Sequence, residues 1–264
     1  MTDLLKISIE AAIKAGKKIL EVYENDFEVE TKADNSPLTE ADKRSHLTIK
    51  DILSPLSIEM LSEEGKQLAY SERKDWKKFW LIDPLDGTKE FIKRNGEFTV
   101  NIALIENGFP VSGVVYVPVT GKTYYGSAEE GSFVFTFNEA EKKSIDEYIS
   151  TAQKLPDASA PAVYTVVASR SHNTPETENF IEERRKQYGV VTTISSGSSL
   201  KLCLVAEGKA NVYPRLAPTM EWDTAAGHAV AKFAGCSVYN FETGKELQYN
   251  KENLLNPWFV VERK

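Results

Sequence analysis

The feature that most constrains this chain is the segment Phe79 to Phe91, in which four apolar residues run directly into Asp-Pro-Leu-Asp-Gly-Thr. The apolar run from Phe79 to Ile82 is typical of a short buried strand. The turn-forming residues that follow predict that the chain breaks into a turn after Ile82. We therefore expect Asp83 and Asp86 to leave the end of one strand together.

Three residues of this turn restrict its backbone. Pro84 fixes its own φ and favours an extended conformation for the residue before it. Gly87 can adopt φ > 0 and lets backbone come close to a ligand. Thr88 to Ile92 is predicted to form a helical turn. Such an arrangement is suited to hold a divalent metal and a phosphate together, but Asp, Pro and Gly also form turns for local reasons alone.

Length and charge narrow the classes of protein that need to be considered. The 264 residues suffice for one large domain or two modest ones. A composition of 41% hydrophobic and 27% charged residues is ordinary for a globular protein with a sizeable core. The net charge of -7 argues against a nucleic-acid partner bound through a basic face. It leaves room for a small anionic substrate if metal ions supply positive charge.

Cysteine usage and hydropathy indicate the compartment. Cys203 and Cys236 form no disulfide framework and are expected to be buried thiols in a reducing environment. The first residues show no signal peptide, and no apolar run approaches the ~18 residues of a membrane span. We expect a cytoplasmic protein without an integral membrane segment, which is compatible with peripheral association with the inner membrane. The sequence leaves the oligomeric state open.

The order of predicted elements divides the chain in two. Two early helices, from Leu4 to Tyr23 and from Thr39 to Leu53, precede a series of consecutive strands, which predicts an α+β first half. From Tyr164 onward strands and helices alternate, which predicts an α/β second half. The composition changes between Asn138 and Ala162. We place the boundary there, with an N-terminal domain of residues 1–155 and a C-terminal domain of residues 156–264.

Three further acidic residues stand at the ends of predicted elements. Glu63 follows a short strand, Asp42 fits a capping arrangement with Thr39, and Asp223 opens an Ala-rich helix. Each position has a local structural explanation. Like charges about 4 Å apart, however, repel by roughly 4 kcal/mol at an effective dielectric near 20. A cluster of such carboxylates therefore favours bound cations, and Mg²⁺ prefers carboxylates, water and phosphate oxygens.

The acidic segments, taken in order, carry a resemblance to a known family. The motifs, in chain order, are Glu63-Glu64, Asp83-Pro84-Leu85-Asp86-Gly87-Thr88 and Trp222-Asp223-Thr224-Ala225-Ala226-Gly227. This series resembles the lithium-sensitive, Mg²⁺-dependent phosphatases of the inositol monophosphatase superfamily. The resemblance covers nearly the whole chain. It implies a layered αβαβα sandwich, with the N-terminal domain carrying most metal ligands and the C-terminal domain carrying Asp223 and the nucleoside contacts.

Three other segments resemble one group within that superfamily, the bacterial 3′(2′),5′-bisphosphate nucleotidases of sulfate assimilation. The segments are Thr88 to Arg94, Ser169 to His172 and Gly197 to Lys201. The resemblance implies Mg²⁺-dependent hydrolysis of adenosine 3′,5′-bisphosphate to AMP and phosphate, and extends to 3′-phosphoadenylyl sulfate. An inositol phosphate or a sugar bisphosphate is the alternative substrate.

The resemblance also implies roles for individual residues. Two or three Mg²⁺ ions would be held by Glu63, Asp83, the carbonyl of Leu85, Asp86 and Asp223. Asp42 and Thr88 would orient and activate the attacking water, with a metal lowering its pKa. The substrate contacts would be Glu63, Leu85, Asp86, Gly87, Thr88, Ser169, His172, Gly197, Lys201 and Asp223, with Arg215 as a weaker candidate.

Other function classes fit the sequence less well. Phosphatases with an aspartyl-phosphate intermediate use an Asp-x-Asp pair, whereas Pro84 and Leu85 separate Asp83 from Asp86. No Walker motif occurs, which argues against an ATPase. A non-catalytic, Mg²⁺-dependent nucleotide-binding module stays open, although the presence of Asp42 and Thr88 argues against it.

Overall fold

The computed structural model describes residues 1–31, 37–157, 161–169 and 174–264. Its helices are α1 Asp3–Tyr23, α2 Glu40–Leu53, α3 Tyr70–Arg73, α4 Thr88–Ile92, α5 Ile145–Ser150, α6 Pro175–Tyr188, α7 Leu200–Glu207 and α8 Glu221–Phe233. Its strands are β1 Val29–Thr31, β2 Pro37–Thr39, β3 Glu59–Ser62, β4 Lys78–Asp86, β5 Thr99–Glu106, β6 Phe109–Val117, β7 Lys122–Ser127, β8 Gly131–Thr136, β9 Gln153–Lys154, β10 Tyr164–Ser169, β11 Val191–Ser196, β12 Val212–Arg215, β13 Cys236–Asn240 and β14 Phe259–Arg263.

The elements form five layers. A seven-stranded sheet, in the order β3-β4-β5-β6-β7-β8-β9, packs against α1 and α2 on its outer face. Helices α7 and α8 separate it from a five-stranded sheet, in the order β11-β10-β12-β14-β13. Helix α6 covers the far face of the smaller sheet. The predicted layered αβαβα sandwich is therefore confirmed.

Local sequence explains where the first two helices begin. Thr2 caps α1 by accepting a hydrogen bond from the Leu5 backbone N–H. Thr39 caps α2, and the Asp42 carboxylate accepts a reciprocal bond from the Thr39 N–H at 2.7 Å. The predicted capping arrangement is present. Helix α2 ends at Leu53, immediately before a 3₁₀ turn that contains Pro55.

Helix α8 lies at the centre of the molecule because small residues line it. Ala225, Ala226, Gly227 and Ala229 are buried, so the helix can approach both sheets closely. The first turn of α8 carries Asp223, which is thereby placed at the end of the buried layer rather than at the surface.

The predicted turn after Ile82 is wrong. Strand β4 continues through the acidic segment to Asp86, with an irregularity in its pairing to β5 between Asp83 and Asp86. Pro84 lacks a backbone donor and is tolerated in a strand at such an irregularity. The next donor, the Leu85 N–H, bonds to the Asp83 carboxylate at 3.0 Å instead of to a neighbouring strand.

The connection between the two sheets carries the predicted domain boundary. Strand β9 ends the larger sheet at Lys154, and β10 begins the smaller one at Tyr164. The boundary after residue 155 falls between them and remains our proposal. The charged stretch before it forms a 3₁₀ turn, helix α5 and strand β9. Among the described residues, no helix is both long and apolar enough to cross a membrane.

Two other expectations concern single residues. Cys203 and Cys236 are free and buried, as predicted. His46 on α2 lies 3.0 Å from the Ser62 hydroxyl, and His228 is buried in α8 beside the Tyr249 hydroxyl at 2.9 Å. Both imidazoles therefore have structural contacts.

Candidate active site

A cavity of about 260 Å³ opens where the two sheets and the first turns of α4 and α8 meet. Residues after β3, at the end of β4 and at the start of α4 line one side: Glu63, Asp83, Leu85, Asp86, Gly87, Thr88, Lys89 and Glu90. Residues of the second half of the chain line the other: Ser196, Gly197, Ser198, Lys201, Tyr213, Arg215, Thr219, Asp223 and Phe259. Most residues predicted to form a site thus share one cavity.

Three of the predicted metal ligands come together in this cavity. Carboxylate oxygens of Glu63, Asp83 and Asp223 all lie within 4.8 Å of one another. Carboxylate oxygens are the donors that a hard ion such as Mg²⁺ prefers, so this donor set fits a divalent cation that these three side chains would hold.

The electrostatics of this cluster also favour a cation. Burial raises the pKa of Asp83 well above its ordinary value, and the nearby charges of Glu63, Asp86 and Asp223 raise it further. Burial, followed by the charges of Asp86 and Glu63, raises the pKa of Asp223 to about 8. A divalent ion among these side chains would compensate both burial and mutual repulsion.

Asp86 lines the same cavity but is oriented differently. Its Oδ2 atom lies 2.7 Å from the Ser199 hydroxyl, 3.3 Å from the Asn101 Nδ2 and 3.5 Å from the Thr99 hydroxyl. Its carboxylate is not one of the three that cluster within 4.8 Å in the described part of the chain. Asp86 therefore lies at the edge of the carboxylate cluster rather than at its centre.

The predicted water-activating pair is brought together beside the cavity, which Thr88 lines and Asp42 does not. The Thr88 hydroxyl lies 3.4 Å from Asp42 Oδ1 and 3.4 Å from the Leu85 carbonyl oxygen. Asp42 is buried, and its other oxygen accepts hydrogen bonds from the Thr39 N–H and the Thr39 hydroxyl. The separation of 3.4 Å is long for a hydrogen bond, but catalytic contacts often tighten only when substrate binds.

Two predicted substrate contacts already bond within the protein. The Lys201 side chain is only 6% exposed, and its Nζ donates to the Ser198 carbonyl at 2.5 Å and the Ser196 carbonyl at 3.4 Å. The Gly197 N–H donates to Glu97 Oε2 at 2.8 Å. Both interactions fix the backbone of residues 196–198, which forms one wall of the cavity.

The remaining predicted substrate contacts are Ser169, His172 and Arg215. His172 and the Ser169 side chain lie outside the described residues. Arg215 lines the cavity, and one of its guanidinium nitrogens donates to the Pro218 carbonyl at 2.7 Å.

Several residues around the cavity were not assigned from the sequence. They are Glu90, Glu97, Thr99, Asn101, Ser198, Ser199, Tyr213, Thr219 and Phe259. Ser198 and Ser199 lie within the segment Gly197 to Lys201, whose resemblance to the family could have identified them as residues of the site. For Asn101, only strand pairing reveals that it lies opposite Asp83.

Comparison with known proteins places this geometry in context. The sequence matches the inositol monophosphatase family over residues 1–260. It is 47% identical, over 257 residues, to the 3′(2′),5′-bisphosphate nucleotidase CysQ of Escherichia coli strain K12, covering 95% of this chain and 96% of that protein. It is 46% identical, over 265 residues, to the protein of the same name from Salmonella typhimurium strain LT2, covering 98% and 99%.

Solved structures agree with the fold. The crystal structure of CysQ from Bacteroides thetaiotaomicron, a bacterial member of the inositol monophosphatase family, superposes with a TM-score of 0.89 at 53% identity and covers 98% of this chain and 96% of that one. An inositol monophosphatase from Thermotoga maritima gives a TM-score of 0.74 at 22% identity, with 99% and 92% coverage. The second match bears on the fold alone.

Proposed function

The chain belongs to the inositol monophosphatase family, and we propose that it is a Mg²⁺-dependent 3′(2′),5′-bisphosphate nucleotidase that converts adenosine 3′,5′-bisphosphate to AMP and phosphate. The observation that carries the proposal is the cluster of Glu63, Asp83 and Asp223 within 4.8 Å, in the same cavity as Thr88. Identity of 46–48% to curated nucleotidases over nearly the whole chain supports the choice of substrate.

Glu63, Asp83, the Leu85 carbonyl, Asp86 and Asp223 are the proposed ligands of two or three Mg²⁺ ions. When bound, Mg²⁺ neutralises the carboxylates and the phosphate and acts as a Lewis acid towards the phosphoryl oxygens. Burial and the mutual repulsion of these carboxylates raise the pKa of Asp83. The same two effects make the ionised form of the cluster unfavourable unless a cation is bound.

The proposed reaction is direct attack of water on the 3′-phosphorus. The Thr88 hydroxyl donates towards Asp42 Oδ1, and its oxygen can accept a hydrogen bond from the attacking water. As the water proton passes to Thr88, the Thr88 hydroxyl proton passes to Asp42 Oδ1. Asp42 is therefore the proposed base, with its Oδ2 held by Thr39 and its Oδ1 facing Thr88. The bond from phosphorus to the ribose oxygen breaks on the side of Asp223, and solvent protonates the leaving oxygen.

The proposed substrate contacts surround this centre. Backbone groups of Gly87 and Thr88 would hold the transferring phosphate. The wall formed by Gly197 and Lys201, together with Ser169 and His172, would contact the nucleoside and its 5′-phosphate, with Arg215 as a further cationic contact.

Related substrates follow from the same arrangement. 3′-Phosphoadenylyl sulfate presents the same 3′-phosphate, so we propose that it is also hydrolysed and that the protein acts in sulfate assimilation. We further propose inhibition by Li⁺, as the family resemblance implies.

Phosphate release from adenosine 3′,5′-bisphosphate, compared with inositol 1-phosphate and fructose 1,6-bisphosphate, tests the proposal. Mg²⁺-dependent binding without release would instead favour a binding module.

A further inference from the structure

Ser199 connects the two halves of the proposed metal site. Its side chain is only 1% exposed, and its residue precedes the first turn of α7. The hydroxyl does not cap that helix. It lies 2.7 Å from Asp86 Oδ2, on the larger sheet, and 2.7 Å from the backbone carbonyl of Asp223, in the first turn of α8.

The hydrogen-bond inventory of Ser199 determines which contact it makes. A serine hydroxyl has one donor and two acceptor positions. Asn101 Nδ2 approaches the Ser199 oxygen at 2.8 Å and can donate to it. The single hydroxyl proton is then available for Asp86 or for the Asp223 carbonyl, and a carboxylate is the stronger acceptor. The hydroxyl therefore orients Asp86 while it touches the backbone that carries Asp223.

We propose that Ser199 is a positioning residue that sets the orientation of Asp86 relative to Asp223 and so tunes Mg²⁺ affinity. This inference rests on the proposed function, because it assigns both carboxylates to the metal site. Ser199, Asn101 and Thr99 all approach Asp86 Oδ2, so within the described part of the chain the hydrogen bonds of Asp86 leave its other oxygen to a cation. Partners of this kind fix ligand orientation, and their loss weakens metal binding about 10- to 100-fold.

The test is a calorimetric Mg²⁺ titration of the full-length protein. We expect Ser199→Ala to raise the Mg²⁺ dissociation constant about 10- to 100-fold, and Ser199→Thr, which keeps the hydroxyl, to stay near the wild-type value. Ser132→Ala is the matched control, because Ser132 is equally buried and its hydroxyl also approaches an α8 carbonyl, that of Val230, at 2.7 Å. This control should lose stability in EDTA yet bind Mg²⁺ like the wild type.

The possible outcomes separate the two proposals. An unchanged Mg²⁺ constant in a folded Ser199→Ala variant, or an equal rise in Ser132→Ala, would overturn the role of Ser199. If Ser199→Ala does not fold, Ser199→Cys decides alone, since a thiol is a weak donor and should also weaken Mg²⁺ binding. A wild-type protein that binds Mg²⁺ in a Ser199-dependent way but releases no phosphate from the nucleotide would refute the proposed function and retain this inference.

Discussion

Asp83 and Asp86 lie on the same face of the larger sheet, although an odd number of positions separates them. Asp83 pairs with Asn101 on β5, whereas Asp86 pairs with Thr99, only two positions away from Asn101. Side chains alternate between faces along a regular strand, so the extra residue in β4 is what returns Asp86 to the face of Asp83. The Asp-Pro-Leu-Asp spacing thereby delivers two carboxylates to one cavity.

Asp83 is the first residue to test. We expect Asp83→Asn to lower turnover at least about 10²-fold, because a proposed charged metal ligand is lost. The unfolding midpoint measured with EDTA should rise, since the amide removes a buried charge and its repulsion from Glu63 and Asp223. An Asn oxygen can still accept the bond from the Leu85 N–H. The exposed Asp146, which pairs with Lys6 at the surface, provides Asp146→Asn as a control that should change neither value.

Thr88 and Asp42 should act as one unit. We expect Thr88→Ala and Asp42→Asn each to lower kcat about 10²- to 10⁴-fold with little change in KM. Both side chains are proposed to activate the water, whereas Thr88 would contact the phosphate through its backbone, which the substitution keeps. The double variant should be scarcely worse than either single variant. Thr88→Ser keeps the hydroxyl and should retain most activity. Fully additive losses in steady-state kinetics would contradict the pairing.

The wall at Gly197 leaves no room for a side chain. A Cβ there would lie 2.8 Å from the Glu97 carbonyl oxygen and 2.9 Å from Glu90 Cγ. We expect Gly197→Ala to lower the free energy of unfolding by about 1–3 kcal/mol and to raise KM for the nucleotide. A Cβ added at Gly189 would lie within 4 Å of no described atom beyond its chain neighbours, and only the positive φ of 76° opposes a side chain there. Gly189→Ala should cost about 1 kcal/mol and leave KM unchanged.

The contact between Glu246 and α8 predicts a pH-dependent stability. His228 Nε2 at 3.4 Å and Lys232 Nζ at 2.6 Å lower the pKa of Glu246 to about 2. Between about 2 and the ordinary value of 4.5, the unfolded chain binds more protons at this group, so its stabilising effect is lost as the pH falls through that window. Because Glu246 is 38% exposed, we expect an effect below about 1 kcal/mol.

Urea unfolding between pH 3 and 6 in EDTA measures that effect. The free energy of unfolding of Glu246→Gln should fall below the wild-type value at pH 6, and the difference should shrink below pH 4.5. Glu242→Gln, on the same surface segment, is the control. A difference that stays constant across this range would show that the carboxylate charge is not responsible.

Structural features that depend on neighbouring residues could be predicted from the sequence, whereas features that depend on distant residues could not. Helix α2 and its cap were predictable because Thr39 and Asp42 are three positions apart and satisfy a local rule. The turn predicted after Ile82 was wrong because the local preferences of Pro84 and Gly87 do not reveal that pairing with β5 continues the strand.

Contacts between distant segments were beyond local reasoning. Ser199 and Asp86 are 113 positions apart, and Gly197 and Glu97 are 100 apart. Only the packing of the two sheets around α7 and α8 brings them together. Lys201 illustrates the same limit. Its segment could be recognised in the sequence, but its burial and its bonds to backbone carbonyls depend on that packing and could not be predicted.

The most direct test of the central claim is phosphate release from adenosine 3′,5′-bisphosphate, measured beside inositol 1-phosphate and fructose 1,6-bisphosphate, with Mg²⁺, with chelator and with added Li⁺. We predict strong preference for the nucleotide, loss of activity with chelator and inhibition by Li⁺. A preference for the inositol or sugar phosphate would contradict the assigned substrate while retaining the metal site, and absence of release from all three would contradict the enzymatic function itself.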